Sequence, residues 1–501
     1  MKPDFRKCMI WLHTYSGLVI GWLLFAIFFT GTLSYFNQEI SQWMKPELNQ
    51  HTPNTSIINQ SIVQLKSSEL NASRWRIYLP DSRSNHLYIQ WSNGRKRTVE
   101  NLSLNDVSPI EVRDTKGGDF FRTFHYTLQL RGYGGRYIAG VAAMMMLIAL
   151  FSGIFTHRRF FRDFFTLRKA KLSKLLSDSH ALMGIVTLPF CLMICSSALM
   201  IYVTTYIPSS TQHFYPDNIK QFNKEVFPSL PALDKQAPIA EPLTDFSIIE
   251  EQINQKWTGE NQIDYITYEQ PYRENGRIIV NRVKDNTLSN QAERLVFSST
   301  SGEALQGYPE QSTPMKVRRI FYGLHEAHFA DVPLRWMFFI LGLLSSALIA
   351  TGSIIWLNKR LAKVKQRHIG HKIVECLNVA GFAGLLLAVL AYFYANRFLA
   401  LDVSNRASLE VNIFLWVWLA TLLHSILRPA NKAWFEQLMI CALLCLSLPF
   451  IDFLQDSQRL VNAVEQFYGA YLMFNIMIIL SGVAFLKTAL WLKRKNRVTT
   501  E

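Results

Sequence analysis

Apolar residues along the chain are gathered into eight blocks of about 20 residues or more, and polar stretches separate these blocks. Blocks of this length suit helices that cross a hydrocarbon layer about 30 Å thick. Helices are expected because lipid offers backbone polar groups no water to bond with. The pattern therefore predicts a polytopic all-α membrane protein with eight spans, at about 12–36, 136–157, 180–206, 333–357, 372–396, 410–428, 433–452 and 467–492.

Two long polar segments, 37–119 and 207–318, interrupt the first four blocks. They contain runs in which apolar and polar residues alternate, such as RWRIYLP, HLYIQW, QIDYITYE and GRIIVNRV. Asn93-Gly94 and Asn275-Gly276 are dipeptides typical of tight hairpin turns. The pattern predicts two α+β inserts with antiparallel strands.

The first four spans repeat a pattern. LHTYSGLVIG and SHALMGIVTL each place a glycine four residues after a histidine, at His13 and Gly17 and again at His180 and Gly184. Self-similarity of this kind is the mark of an internal repeat. We therefore predict that a unit of helix, insert and helix occurs twice.

The second and fourth spans continue this repeat. FFRTFHYTLQLRGYGGRY and RIFYGLHEAHFADVPLRW carry His125 and His325, and each histidine is followed ten or eleven residues later by an arginine, Arg136 or Arg335. A small residue and a glycine come next, at Ser152-Gly153 and Thr351-Gly352.

The last four spans carry no copy of the pattern and form an appended helical module. The predicted division of the chain is a first span (1–36), a first insert (37–119), a second span with an amphipathic segment before it (120–157), a basic loop (158–179), a third span (180–206), a second insert (207–318), a fourth span with its amphipathic segment (319–357), a basic loop (358–371), the appended module (372–492) and a tail (493–501).

The net charge of +15 is concentrated in the N-terminus, the loops 158–174 and 359–372, and the tail from residue 493. If the spans alternate, all four segments face the same side of the membrane, which places both termini in the cytoplasm and both inserts in the periplasm of a bacterial inner membrane. Charge placed in this way faces lipid headgroups of the bilayer, and we predict no nucleic-acid partner. The six cysteines lie outside the two inserts, so the inserts fold without disulfides.

An ionisable side chain within a span is costly and therefore suggests a function. His13 and His180 fall at the predicted cytoplasmic ends of spans one and three, and His125 and His325 fall just outside spans two and four. Bis-imidazole ligation of haem needs one nitrogen from each of two helices, with an apolar slot between them. We expect two b-type haems, one held by each pair, because about 30 Å of hydrocarbon separates the two levels.

Other interpretations of single histidines stay open. One histidine near the end of a span commonly bonds a neighbour or reaches a headgroup, and its recurrence in both copies is what favours haem. Zinc sites need three or four ligands, whereas each level supplies two. His328, three residues after His325, is an alternative axial ligand without a counterpart in the first copy.

Three more histidines and two arginines are secondary candidates. His157 stands beside two arginines and suits a headgroup contact, although it is also a candidate cofactor ligand. His371 and His424 would form a third pair and bring a third haem. Arg136 and Arg335 would either hold haem propionates by bidentate contacts or anchor the chain at the membrane interface.

The motifs WLHTYSGLVIG, FHYTL, SHALMG and GLHEAHF, in this order over residues 1–360, resemble those of the PepSY-associated transmembrane family of bacterial inner-membrane proteins. Some members of that family are ferric-siderophore reductases. The resemblance implies PepSY-like folds for the two inserts, b-type haem and reduction of iron chelates. The chain departs from the family at Thr14 and Ala181, where the family often has arginine after the histidine.

The expected function is that of a di-haem electron-transfer protein that reduces periplasmic ferric siderophores or other ferric chelates. The sequence has no G-x-G-x-x-G or P-loop motif and short cytoplasmic loops, so electrons would come from quinol or from a separate reductase. No C-x-x-C-H motif is present, so the haem would be noncovalent. Two alternatives remain: a non-enzymatic transporter or accessory factor for siderophore, iron or haem, and a scaffold whose PepSY-like domains bind another periplasmic protein.

Overall fold

The computed structural model describes residues 3–48, 57–68, 72–156, 172–216, 218–240, 242–258, 263–284, 287–465 and 469–498. The chain divides into two compact units. The membrane unit comprises Met1–Met44, Asp114–Tyr202 and Asp331–Glu501, and the sheet unit comprises Lys45–Arg113 and Val203–Ala330.

The α-helices are α1 (Pro3–Ser34), α2 (Asn37–Met44), α3 (Ile57–Ser68), α4 (Asp119–Thr127), α5 (Gly135–Thr156), α6 (Leu172–Ile201), α7 (Val203–Tyr206), α8 (Pro208–Phe214), α9 (Ile219–Val226), α10 (Phe246–Lys256), α11 (Thr313–Glu326), α12 (Val332–Leu361), α13 (Ile369–Asn378), α14 (Leu385–Phe398), α15 (Arg406–Leu427), α16 (Ala430–Gln455), α17 (Ser457–Glu465) and α18 (Gly469–Val498). A π-helical stretch, Val379–Gly384, joins α13 to α14, and a short 3₁₀ turn covers Pro46–Leu48. The strands are β1 (Arg74–Tyr78), β2 (Leu87–Asn93), β3 (Lys96–Leu102), β4 (Pro109–Ile110), β5 (Ile263–Glu269), β6 (Arg277–Arg282) and β7 (Arg294–Ser298).

Eight helical stretches of the described residues are long and apolar enough to cross a membrane, as the sequence predicted. Two of them begin eight or nine residues before the predicted start. Helix α1 starts at Pro3 and α6 starts at Leu172, because charged and polar residues extend the helix beyond the apolar block that marks it in the sequence. His13 and His180 consequently lie inside their helices, two turns or more from the first residue.

The first four spans pack as a bundle. Helix α1 packs against α5 and α12, and α6 packs against the same two helices. Helices α1 and α6 therefore occupy opposite corners of a four-helix arrangement. This placement lets side chains from α1 and α6 face each other across the centre of the bundle.

The appended module forms hydrogen bonds with the main chain where the first insert begins. Arg397 of the module and Arg459 of α17 donate to the carbonyl oxygen of Trp43, at 2.7 and 2.9 Å. Trp43 stands at the C-terminal end of α2, where helix carbonyls lack partners and favour cations. Asp452 forms an ion pair with Arg397 at 2.8 Å, and it accepts hydrogen bonds from Arg459 at 3.2 Å and from the hydroxyl of Tyr471 at 2.6 Å.

The module also holds the chain where the first insert ends. Arg406, which is fully buried, pairs with Glu410 and donates to the carbonyl oxygen of Asp114 at 3.2 Å. The hydroxyl of Tyr392 donates to the carbonyl oxygen of Gly117 at 3.0 Å. Since Lys45–Arg113 is the first segment of the sheet unit, the module fixes the main chain on both sides of it.

The sheet unit contains one seven-stranded antiparallel sheet in the order β4-β3-β2-β1-β5-β6-β7. The antiparallel strands were predicted, but as two separate inserts, whereas β1 of the first insert pairs directly with β5 of the second, with Ile77 opposite Ile266. In two separate sheets β1 and β5 would both be edge strands, whereas this pairing covers them and leaves β4 and β7 as the edges of one sheet. Helices α3 and α10 share a buried core with the strands, centred on Trp75, Ile77 and Ile266.

Candidate functional site

A cavity of about 780 Å³ lies within the membrane unit, among α1, α5, α6 and α12. Most of its lining is apolar or small, and it includes Gly17, Gly184 and Leu348. His13 from α1 and His180 from α6 are the two imidazoles in its wall. We call it the histidine cavity.

His13 and His180 face each other in this cavity. Their ring centroids are 6.4 Å apart and their planes are inclined at 71°. The two residues are 167 positions apart in the sequence, and the opposite placement of α1 and α6 is what brings them together. The structure thus joins one of the histidine pairs proposed from the sequence.

Hydrogen bonds define which nitrogen of each ring is free. Nδ1–H of His13 donates to the carbonyl oxygen of Ala149 at 2.8 Å, and Nδ1–H of His180 donates to that of Leu348 at 3.0 Å. A carbonyl oxygen can only accept, so Nδ1 carries the proton and Nε2 keeps a lone pair. Among the described residues, neither Nε2 atom makes a hydrogen bond. Metal-binding histidines usually have this second-nitrogen bond, which sets both tautomer and ring orientation.

Each imidazole lies against a glycine of the helix that accepts its hydrogen bond. Gly153 follows Ala149 by four residues, and a Cβ added there would be 3.1 Å from Cε1 of His13. Gly352 follows Leu348 by four residues, and its Cβ would be 3.1 Å from Cε1 of His180. Side chains four apart share a helix face, so the carbonyl and the glycine together form a seat for the ring.

These glycines belong to the repeat in the sequence, but the repeat alone does not show which side chains they face. Gly17 and Gly184 belong to the same repeat. Both do line the cavity, yet a Cβ at Gly17 would meet nothing within 4 Å and one at Gly184 would make an ordinary contact at 3.6 Å. The recurrence of Ser152-Gly153 and Thr351-Gly352 was the signal that pointed to the seats.

His125 has the same kind of seat. Its Nδ1–H donates to the carbonyl oxygen of Ile27 at 2.7 Å, and a Cβ added at Gly31, four residues further on, would be 2.5 Å from that nitrogen. Removal from water lowers the pKa of His125, against a smaller opposing effect of the hydrogen bond to Ile27. The ring is therefore neutral at physiological pH, which is the form that binds metals.

His325 lies in the last turn of α11, as His125 lies in the last turn of α4. Both helices end at a residue in the left-handed conformation, Ala327 (φ 54°) or Leu128 (φ 53°). His125 belongs to the membrane unit and His325 to the sheet unit, and their pairing stays a prediction. The alternative ligand, His328, donates from Nε2–H to the carboxylate of Glu326 at 2.6 Å.

The two candidate arginines have different surroundings. Arg335 is buried and pairs with Glu39 at 3.3 Å, so its charge already faces a carboxylate. Arg136 is exposed and its guanidinium lies over the rings of Tyr126 and Tyr202, at 5.5 and 5.9 Å. Neither contact involves a cofactor, and a role for these arginines in propionate binding stays a prediction.

The structure does not bring the suggested third pair into ring contact. Nε2–H of His424 donates to Glu436 at 2.9 Å, and its Nδ1 accepts from Gln437 at 3.2 Å, so both nitrogens are engaged. His371 accepts from the backbone N–H of His368 at the start of α13. The last candidate, His157, lies outside the described residues.

The donor set of the histidine cavity suits a planar cofactor better than a bare metal ion. In the described part of the chain, no three His, Cys, Asp or Glu side chains are grouped closely enough to hold a metal ion by themselves. The cavity offers two imidazoles with free Nε2 atoms and an apolar interior between four helices. Two axial nitrogens and an apolar slot are what a haem needs from its protein.

Comparison with known proteins gives one family. The sequence model described as the PepSY-associated TM region matches residues 10–359, which is about 70% of the chain and includes both cavity histidines. The appended module lies beyond the matched region. None of the curated proteins searched matches the chain.

Proposed function

We propose that this chain, which belongs to the PepSY-associated transmembrane family, is a haem-dependent electron-transfer protein of the bacterial inner membrane. It reduces ferric siderophores or other ferric chelates in the periplasm. The observation that carries the proposal is the pair of imidazoles in the histidine cavity, which come from opposite helices and have free Nε2 atoms.

The two rings stand close enough for one flat group to be held between them, with their centroids 6.4 Å apart. The cavity volume of about 780 Å³ also lies within the range typical of sites for organic cofactors.

His13 and His180 would hold one haem, and His125 and His325 would hold a second. Bound haem supplies one-electron transfer. The chain holds the imidazoles in position: the carbonyls of Ala149 and Leu348 fix each tautomer and make the ligating nitrogen more basic. The apolar lining keeps water from the site.

Charge placement supports the orientation of the chain. The basic segments at the N-terminus, after the second and fourth spans, and in the tail would lie in the cytoplasm, with the sheet unit in the periplasm. Quinol or a separate reductase would supply the electrons, because the sequence carries no nucleotide-binding motif. The acceptor would be a periplasmic iron chelate.

The first test is the optical spectrum and haem content of the purified protein. We expect a reducible low-spin b-type spectrum and about two haems per chain, or three if His371 and His424 also bind one. His13→Ala or His180→Ala should remove one haem and leave the other. A haem content well below one per chain would overturn the proposal.

The second test concerns the acceptor. Dithionite-reduced protein, mixed anaerobically with a ferric siderophore in a stopped-flow instrument, should be reoxidised and should release iron to a ferrous-specific chelator. If the protein contains haem but none of several classes of ferric chelate accelerates its reoxidation, the protein is an electron carrier with another acceptor. Protein that binds siderophore without haem would support the transporter alternative, and protein that binds neither would support the scaffold.

A further inference from the structure

One face of α12 changes character along the histidine cavity. Near His180 this face presents Leu348, Ile349 and Gly352, which are apolar or small. Near the end of the helix it presents Trp356, Lys359 and Arg360, which are spaced i, i+3 and i+4 and so share one face. Lys363, which also lines the cavity, lies in the turn that follows Leu361. We call Lys359, Arg360 and Lys363 the basic rim.

The charged side chains that line the cavity do not balance. The basic rim supplies three positive charges, and Asp178 supplies one negative charge. Among the described residues, the cavity lining therefore carries two positive charges in excess, and its basic side chains come from α12 and the turn that follows it. Thr14 and Ala181, which follow the two histidines, also line the cavity but bring no charge.

The aromatic residue beside the rim adds a hydrogen-bond donor. The indole N–H of Trp356 is buried and has no hydrogen-bond partner among the described residues. The guanidinium of Arg360 lies 5.7 Å from the centre of the same indole ring. Side chains on a helix lean towards its N-terminus, so those of Lys359 and Arg360 extend from the end of α12 back towards the level of His180.

We propose that the basic rim, with the indole N–H of Trp356, binds the two propionate carboxylates of the haem held by His13 and His180. This inference rests on the proposed function. A haem is apolar over most of its ring and carries two carboxylates at one edge. The α12 face matches that division, with small apolar residues near the imidazoles and two excess positive charges at the end. The carboxylates are thereby paired by charge-assisted hydrogen bonds.

An anionic lipid headgroup offers the same negative charge to the same side chains. The two sources differ in one testable respect, because haem dimethyl ester has the shape of haem but lacks both carboxylate charges. A protein that recognises propionates discriminates between haem and its ester. A rim that binds lipid does not.

The experiment reconstitutes the full-length apoprotein in detergent, in a His125→Ala background so that one site remains. Affinities for haem and for haem dimethyl ester are measured by titration of the absorption spectrum. We expect the protein to prefer haem by about tenfold or more, which corresponds to about 1.4 kcal/mol. The triple variant Lys359→Gln, Arg360→Gln, Lys363→Gln should lose the preference while still binding the ester.

The matched control is Lys365→Gln, Arg367→Gln, Lys372→Gln, which removes the same charge from the neighbouring segment, between α12 and the first turn of α13, without touching the cavity lining. It should keep the wild-type preference. The variant Lys359→Arg, Lys363→Arg should also keep it, which separates charge from folding defects. Equal affinity for haem and ester in the parent protein would overturn the inference while leaving the proposed function intact.

Binding of neither compound by the parent protein would overturn the proposed function as well. The lipid alternative is tested by native mass spectrometry of protein from vesicles of phosphatidylcholine with and without phosphatidylglycerol. If phosphatidylglycerol is retained only when the basic rim is intact, and if haem and its ester bind with equal affinity, the basic rim binds lipid headgroups.

Discussion

The imidazole of His13 rests on Gly153, where a Cβ would stand 3.1 Å from ring carbon Cε1. This contact is closer than most side chains tolerate, so the absence of a side chain at residue 153 is a condition of the ring's position. The relationship of His180 to Gly352 is the same, at the same distance. The placement of the cavity histidines therefore depends on two residues that have no side chain.

We predict that Gly153→Ala displaces the His13 ring and lowers haem occupancy of the cavity, while the second haem stays. Alanine is the better helix former by up to about 1 kcal/mol, so a thermal melt should show no loss of fold. Gly21→Ala in the same bundle is the control, because its Cβ would meet Ile349 at a comfortable 4.0 Å. A wild-type spectrum and haem content in Gly153→Ala would refute the idea of a seat.

We predict an asymmetry within the buried ion cluster of the module. Asp452→Asn leaves two buried guanidinium groups without a carboxylate and should cost about 3–5 kcal/mol. Arg459→Met should cost less, because Asp452 keeps Arg397 at 2.8 Å. Thermal unfolding of the two variants in detergent shows which substitution destabilises the protein more. An equal cost would mean that the charges act independently.

The pairing of the two inserts in one sheet predicts a specific disulfide. Arg76 and Thr267 are opposite each other on β1 and β5, so Arg76→Cys with Thr267→Cys should form a bridge in an oxidising compartment. Fragments released by a protease site placed after residue 170 should then stay linked until reduced. Arg76→Cys with Ile279→Cys is the control, because Ile279 lies one strand further away, about 10 Å from β1. A bridge in the control, or none in the test pair, would contradict the register.

His86 should make the sheet unit sensitive to acid. Burial lowers its pKa to about 4, with help from Lys45 and against the hydrogen bond to Asn101. Unfolded histidine titrates near 6.5, so the unfolded chain binds the proton first as the pH falls. The free energy of unfolding should therefore fall between about pH 6.5 and pH 4, by up to about 3 kcal/mol.

Hydrogen exchange of β2 and β3 in wild type and in His86→Gln, compared at equal pH, measures this contribution. The glutamine variant does not titrate, so it should lose less protection than wild type on going from pH 7 to pH 4.5. Parallel losses in the two proteins would show that His86 does not govern the acid response.

The spans were predictable because a membrane-spanning helix requires an apolar block about 20 residues long, which is visible in the sequence. Their ends were not, since Pro3 and Leu172 begin helices in polar sequence that only the folded chain shows to be helical. The pairing of His13 with His180 followed from recurrence. The glycine seats did not, because the bond from His13 to Ala149 spans 136 positions and depends on how two helices pack.

Two larger features left no local signal in the sequence. The pairing of β1 with β5 joins strands nearly 190 residues apart, and alternation within a strand says nothing about its partner. The module binds Trp43 and Asp114 by hydrogen bonds to their backbone carbonyl oxygens, and every residue has such an oxygen. The donors Arg397, Arg406 and Arg459 lie outside the predicted spans, and no sequence pattern chooses among the backbone acceptors.

The grip on Trp43 has a consequence for biogenesis. A ribosome adding about 5–20 residues per second makes Trp43 roughly 20 to 70 s before it makes Arg397, since 354 positions separate them. Throughout that interval the C-terminal carbonyls of α2 have neither of the arginines that bond them in the finished protein. Nascent chains halted after residue 360 would contain the whole family-matched region and would still lack these hydrogen bonds to α2. The contacts between the module and the C-terminal end of α2 can therefore form only late in synthesis of the chain.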